Sequence, residues 1–134
     1  MVQVTVTSAV KVAGGGPVLA MTRDEEARAY TMSFSKLEKT GAAGGKDQDV
    51  IPLPDGEIVL LALTVVDANG AVATADVTFK GSTALTVKGS LLVTSQGAVA
   101  KVIPPGENRT VTLKNNGSEP VWVEILTCRG VPTA

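Results

Sequence analysis

At positions 58–66 the chain reads IVLLALTVV, a run with Thr64 as its one polar residue. A strand in an antiparallel sheet with one wet face alternates apolar and polar residues, whereas this run is aliphatic on both of its faces. Whatever fold contains it must cover it twice. Val59, Leu61, Leu63 and Val65 make the more strongly apolar side and are assigned to the core. Ile58, Leu60, Ala62, Thr64 and Val66 then point outward. Such a stripe left in water is a patch of the sort monomers seldom expose. At about 25 cal/mol per Å², covering three or four aliphatic side chains contributes several kcal/mol. A second sheet of the same chain or a neighbouring copy can supply the cover, and a neighbouring copy is favoured.

The turn Asp67-Ala68-Asn69-Gly70 follows, then a segment over 71–79 that does alternate, with Ala71, Ala73, Ala75, Val77 and Phe79 on one side. Together they read as a central β-hairpin. Upstream, Val2, Val4, Val6, Ser8, Val10 and Val12 alternate with polar residues as a long half-buried strand, ended by Gly14-Gly15-Gly16-Pro17. Residues 22–40 admit two readings. Thr22 with Glu25 forms a capping box, acidic residues fill the first turn and Lys36 and Lys39 the last, which suits a short helix. Alternatively, Tyr30, Met32 and Phe34 alternate with Thr31, Ser33 and Ser35 as a strand, and the acidic cluster is a hairpin turn; the stretch TMSFS is poor helix material. GAAGGKDQD at 41–49 reads as a flexible loop, and Pro52, Pro54, Asp55 and Gly56 as a turn.

Turn signals then recur at short intervals, and between them strands are expected near 83–87, 90–95, 98–103, 109–115 and 120–127. Many short strands at this spacing imply a single mainly-β domain over 1–134, an antiparallel β-sandwich or a jelly-roll-like barrel. The last two strands read as a hairpin. On the second of them Val121, Val123 and Ile125 form the richer apolar face, which turns Trp122, Glu124 and Leu126 the other way. A Trp so placed is either a contact residue or is covered by a loop of its own chain. The expected interface set is therefore Ile58, Leu60, Ala62, Val66, Trp122 and Leu126.

Composition narrows the chemistry. Among 134 residues there is no His and a single Cys, and the net charge is −1. Proton-transfer catalysis near neutral pH most often uses His, and one Cys allows neither an internal disulfide nor a thiolate metal site. Cys128 has Arg129 beside it but no His to act as base, so an incidental thiol is the expectation. Asp47, Asp49, Asp55, Glu57, Asp67 and Asp76 lack the spacing of a calcium loop and read as solvated turn carboxylates. Gly14-Gly15-Gly16-Pro17 lacks the Lys-Ser/Thr of a phosphate loop. The lysines are scattered rather than clustered, which argues against nucleic acid. No apolar run approaches the roughly 20 residues of a spanning helix, and no secretion signal is visible. The expectation is a non-enzymatic protein with no cofactor and no metal, made in a cytoplasm or packaged from there into a particle.

A short, nearly neutral, His-free β chain rich in Ala, Gly, Val and Thr resembles the small virion β-proteins of tailed bacteriophages, of the head decoration (cement) or tail and fibre type. The resemblance lies in the general character of the chain, and no residue roles transfer with it. It implies a symmetric homo-oligomer, a trimer for example, that reinforces contacts between other virion subunits through sheet faces. The strand at 2–12 or the loop at 41–49 would then be an arm toward a neighbour. The alternative is a monomeric β-sandwich adhesion or ligand-binding module of a bacterial surface or secreted system.

Overall fold

The computed structural model describes residues 2–11, 14, 18–27, 29–43 and 46–130. Gly15, Gly16 and Pro17 of the first turn, and Gly44 and Gly45 of the 41–49 loop, lie outside them. Two four-stranded antiparallel sheets face each other, with a separate two-stranded hairpin. The hairpin is β1 (Val2–Lys11) and β2 (Val18–Ala27). The first sheet has the order β3-β10-β5-β8, from β3 (Ala29–Leu37), β10 (Val121–Arg129), β5 (Ile58–Val66) and β8 (Ser90–Val93). The second has the order β4-β9-β6-β7, from β4 (Gln48–Pro52), β9 (Thr110–Lys114), β6 (Thr74–Phe79) and β7 (Leu85–Lys88). The fold is a β-sandwich, and no closed barrel forms.

Between the sheets lies the core. Leu61, Leu63 and Val65 of β5 meet Val77 and Phe79 of β6, Val111 and Leu113 of β9, and Val123 and Ile125 of β10. Each of these is at most 2% exposed. The alternation of β6, β9 and β10 thus points where the sequence says it should, and the side assigned to the core on β5 is correct from Leu61 onward.

Four expectations are corrected. Among the described residues of 22–40 the helix reading fails and the strand reading of Tyr30, Met32 and Phe34 stands, but Asp24, Glu25 and Glu26 are themselves strand residues, paired with Thr5, Val4 and Gln3, so the acidic cluster is not a turn. The one short helix, α1 (Gln96–Val102), falls where a strand at 98–103 was expected. Val99, Val102 and Ile103 recur at helical spacing, and Pro104-Pro105 stops the run. Val99 and Ile103 dip into the core, each 2% exposed. Third, residues 48–52, read as the end of a loop and the start of a turn, form β4.

Fourth, neither expected hairpin pairs with itself. The turn at 67–70 forms, with Asp67 Oδ1 accepting from the amides of Asn69 (2.8 Å) and Ala71 (3.0 Å). Beyond it, only the isolated bridge Val66↔Val72 joins the two strands, and β6 enters the opposite sheet. The loop at 115–120 does the same for β9 and β10. Asn115, 1% exposed, fastens that crossover. Its Nδ2 donates to the carbonyls of Glu38 (3.0 Å) and Glu119 (2.7 Å), and its Oδ1 accepts from the amide of Gly117 (2.9 Å).

Candidate functional site

The outer faces of the two sheets differ in kind. Register places Gln48, Lys114, Asp76 and Thr86 in one row across the outside of the β4-β9-β6-β7 sheet, and Val50, Thr112 and Thr78 in the next. Apart from Val50 that face is polar, as a face left in water should be. Thr86 Oγ1 donates to Asp76 Oδ1 at 2.9 Å, and Asn116 Nδ2 to Asp76 Oδ2 at 2.5 Å.

The outside of the other sheet carries an apolar band, with Glu124, Thr64, Ser90 and Lys36 to one side of it. One row runs Met32, Leu126, Ala62, Leu92 across all its strands; flanking rows hold Tyr30, Cys128 and Leu60 on one side, and Phe34, Glu124 and Thr64 on the other. Lys36, Trp122 and Val66 complete it. Part of this face is covered by the chain itself. Val6 of β1, 8% exposed, packs with Val59, Leu60 and Cys128, and Val4, Ala62 and Leu126 lie against the same cluster. The hairpin thus performs, over part of β5, the covering role expected of a neighbouring copy.

The expected interface residues therefore divide. Leu60 is sealed at 2% exposure beneath β1. Ile58 is not outward at all and belongs to the core cluster. A β-bulge is the reason: Cys128 pairs with Leu60 but Arg129 pairs with Ile58, so Val59 is an extra residue and the facing of everything before it reverses. Val59, assigned to the core, consequently sits in the outer cluster. Ala62, Val66, Trp122 and Leu126 are outward and half-buried. Trp122 carries a side chain over its ring, with Lys36 Nζ 5.4 Å from the centroid. Lys36 also pairs with Glu38 at 3.1 Å.

What the interface set omits is β3. Tyr30, Met32 and Phe34 are 57%, 49% and 66% exposed, while Thr31, Ser33, Ser35 and Leu37 occupy the side that faces the second sheet. Ser35 is buried there and donates from Oγ to Asp49 Oδ2 of β4 at 2.7 Å. This edge strand is inverted relative to the usual pattern, greasy side out and hydroxyls in. The alternation was legible; its direction was not. A one-residue slip would exchange the two faces, and the register is held instead by buried Leu37 and the Ser35–Asp49 bond.

Among the described residues no group of three or more His, Cys, Asp or Glu is placed to hold a metal ion, and no helix is long and apolar enough to cross a membrane. Cys128 is fully buried in the outer cluster. Compared with models of protein families, with curated proteins and with solved structures, the chain matches none.

Proposed function

We propose that this chain is a non-enzymatic structural protein of a virus particle, forming a symmetric oligomer that decorates or stabilises a capsid or tail. It needs no cofactor, nucleic acid or membrane in this role; its partners are copies of itself and other virion subunits. The observation that supports the reading is the inverted β3. Tyr30, Met32 and Phe34 stand exposed on the edge strand beside half-buried Leu126, Leu92 is exposed on the opposite edge, and the second sheet's outer face is mostly polar. Such a molecule has one side suited to contact and one suited to water. Function by contact area requires apolar anchors and no titrating groups. The virion itself enters through the resemblance of composition. The contact residues are revised accordingly: Tyr30, Met32 and Phe34 join on one edge of the sheet and Leu92 on the other, Ala62, Leu126, Trp122 and Val66 stay between them, and Ile58 and Leu60 drop out.

The test is sedimentation equilibrium of the wild type beside Phe34→Ser. Burying the exposed two-thirds of the Phe34 ring contributes about 2 kcal/mol per protomer. Its loss should weaken self-association roughly thirtyfold per contact, while Thr112→Ser on the polar face changes nothing. A wild type that remains monomeric at the highest soluble concentration removes the assembly reading and leaves the monomeric binding module.

A further inference from the structure

The end of the sandwich closed by α1 holds a cleft of about 420 Å³ that the apolar sheet face does not include. Ile58 of β5, Val99 and Ala100 of α1, and Ile103 and Pro105 just beyond it form its apolar walls. Set into those walls is Arg109, only 9% exposed. Its Nη2 donates to the carbonyls of Pro54 (2.7 Å) and Gly56 (2.5 Å), and its Nε is buried with no acceptor. Among the described residues the ion pair is Lys36–Glu38, and no carboxylate pairs with Arg109. Glu57 at the mouth is exposed and accepts a hydrogen bond from Gln96 Nε2.

Two carbonyl dipoles orient the guanidinium but do not neutralise it. A charge taken out of water without a counter-charge is costly, and the structures that keep one usually supply a partner. With Nη2 engaged by the two carbonyls and Nε shut off from solvent, Nη1 is the donor left for a charge-assisted hydrogen bond to an anion. The surrounding wall is aliphatic, so an inorganic anion would satisfy the charge and leave the wall wet. A second negative charge on the ligand would meet Glu57. We infer that this cleft binds a small organic monocarboxylate, its oxygens at the Arg109 guanidinium and its aliphatic body against Val99, Ala100 and Ile103.

Arginine Nε–Hε groups give their own signals in ¹H–¹⁵N correlation spectra, so the proposal is tested by titrating the labelled protein with hexanoate, 1-hexanol and phosphate. Saturable shifts of the Arg109 Nε–Hε and Ala100 amide signals are expected with hexanoate, with a Kd on the order of 1 mM. Hexanol, which has the same body without the charge, should bind at least about tenfold more weakly. Ala100→Phe adds bulk to the cleft wall at a residue outside the Arg109 hydrogen bonds to Pro54 and Gly56, and should abolish the hexanoate shifts with the circular dichroism spectrum unchanged. Arg109→Lys keeps a charge, loses the guanidinium donors, and should weaken hexanoate about tenfold. Equal affinity for hexanol overturns the proposal, as does saturation by phosphate with none by hexanoate. The absence of any saturable shift also overturns it, because Arg109 is then only a clamp on the 54–56 turn. Should Ala100→Phe not fold, the hexanoate and hexanol titrations of the wild type decide the matter alone.

Discussion

Replacing Asn115 with alanine is expected to destabilise the protein by about 3 kcal/mol, although the residue touches no candidate site. The figure follows from its bonds. Nδ2 donates to two backbone carbonyls, of Glu38 and Glu119, and Oδ1 accepts from the Gly117 amide, in surroundings that leave the residue 1% exposed. A hydrogen bond of this kind contributes about 1 kcal/mol net, and leaving its partner buried without a replacement raises the cost. The loss also reaches the backbone nearby: Asn115 N donates to the Asp47 carbonyl at 2.8 Å, and Thr40 Oγ1 donates to the Asn115 carbonyl at 2.8 Å. These contacts join the loop before β4 to the crossover between the sheets. In a domain of this size the change lowers Tm by about 10 °C. Urea unfolding followed by circular dichroism measures it, with an unchanged m-value as the sign that the unfolded state is unaffected. Asn115→Asp separates donors from acceptor: it keeps the oxygen toward Gly117 but turns an oxygen toward two carbonyls, and should be at least as damaging as alanine. A loss below about 1 kcal/mol for Asn115→Ala, or a near-native Asn115→Asp, would refute the view that this side chain fastens the crossover.

Two further outcomes can be checked in the same way. A Cβ added at Gly130 would lie 2.8 Å from Val59 Cγ1, which is buried in the bulge, so Gly130→Ala should cost about 1–2 kcal/mol; a double-mutant cycle with Val59→Ala should return a favourable coupling near 1 kcal/mol, and zero coupling would remove the steric explanation. Cys128 is fully buried, so its reaction with an aromatic disulfide reagent should be roughly a thousandfold slower in the native protein than in urea; reaction at the free-thiol rate would mean that the β1 cover over Leu60 and Cys128 opens readily.

The sequence was most informative where side chains alternate and packing alone sets their direction. Val111 and Leu113, Val121, Val123 and Ile125, and Leu61, Leu63 and Val65 all face the core as their patterns imply. It was least informative about pairing. Asn69-Gly70 is a strong hairpin signal, and the turn does form, but 71–73 then carry the chain across to the other sheet. Turn chemistry acts over four residues, whereas the choice of sheet depends on partners far along the chain. The bulge at Val59 is similar: no residue type marks it, yet it reversed the facing of Ile58. At β3 the alternation was plain, but the Ser35–Asp49 hydrogen bond and Leu37 decided which side went in. The helix α1 did leave a trace, in the spacing of Val99, Val102 and Ile103 after Ser95; the turn signal at Gln96-Gly97 and the run of short residues Gly97, Ala98 and Ala100 masked it.

Because β9 and β10, like β5 and β6, are neighbours in sequence but sit in opposite sheets, the β3-β10-β5-β8 sheet cannot be completed until the β4-β9-β6-β7 sheet has all its strands. The edge strand β3 waits for β10, which is made after the other described strands, and β4 waits for β9. Nascent chains that lack β10 therefore hold β5 with an unfilled side, exposing its long aliphatic run while synthesis continues. Pairings of such high sequence separation place folding in the slow, millisecond-to-second range. Recovery of soluble protein should accordingly depend on temperature and on chaperone supply during expression more than on the stability of the finished sandwich.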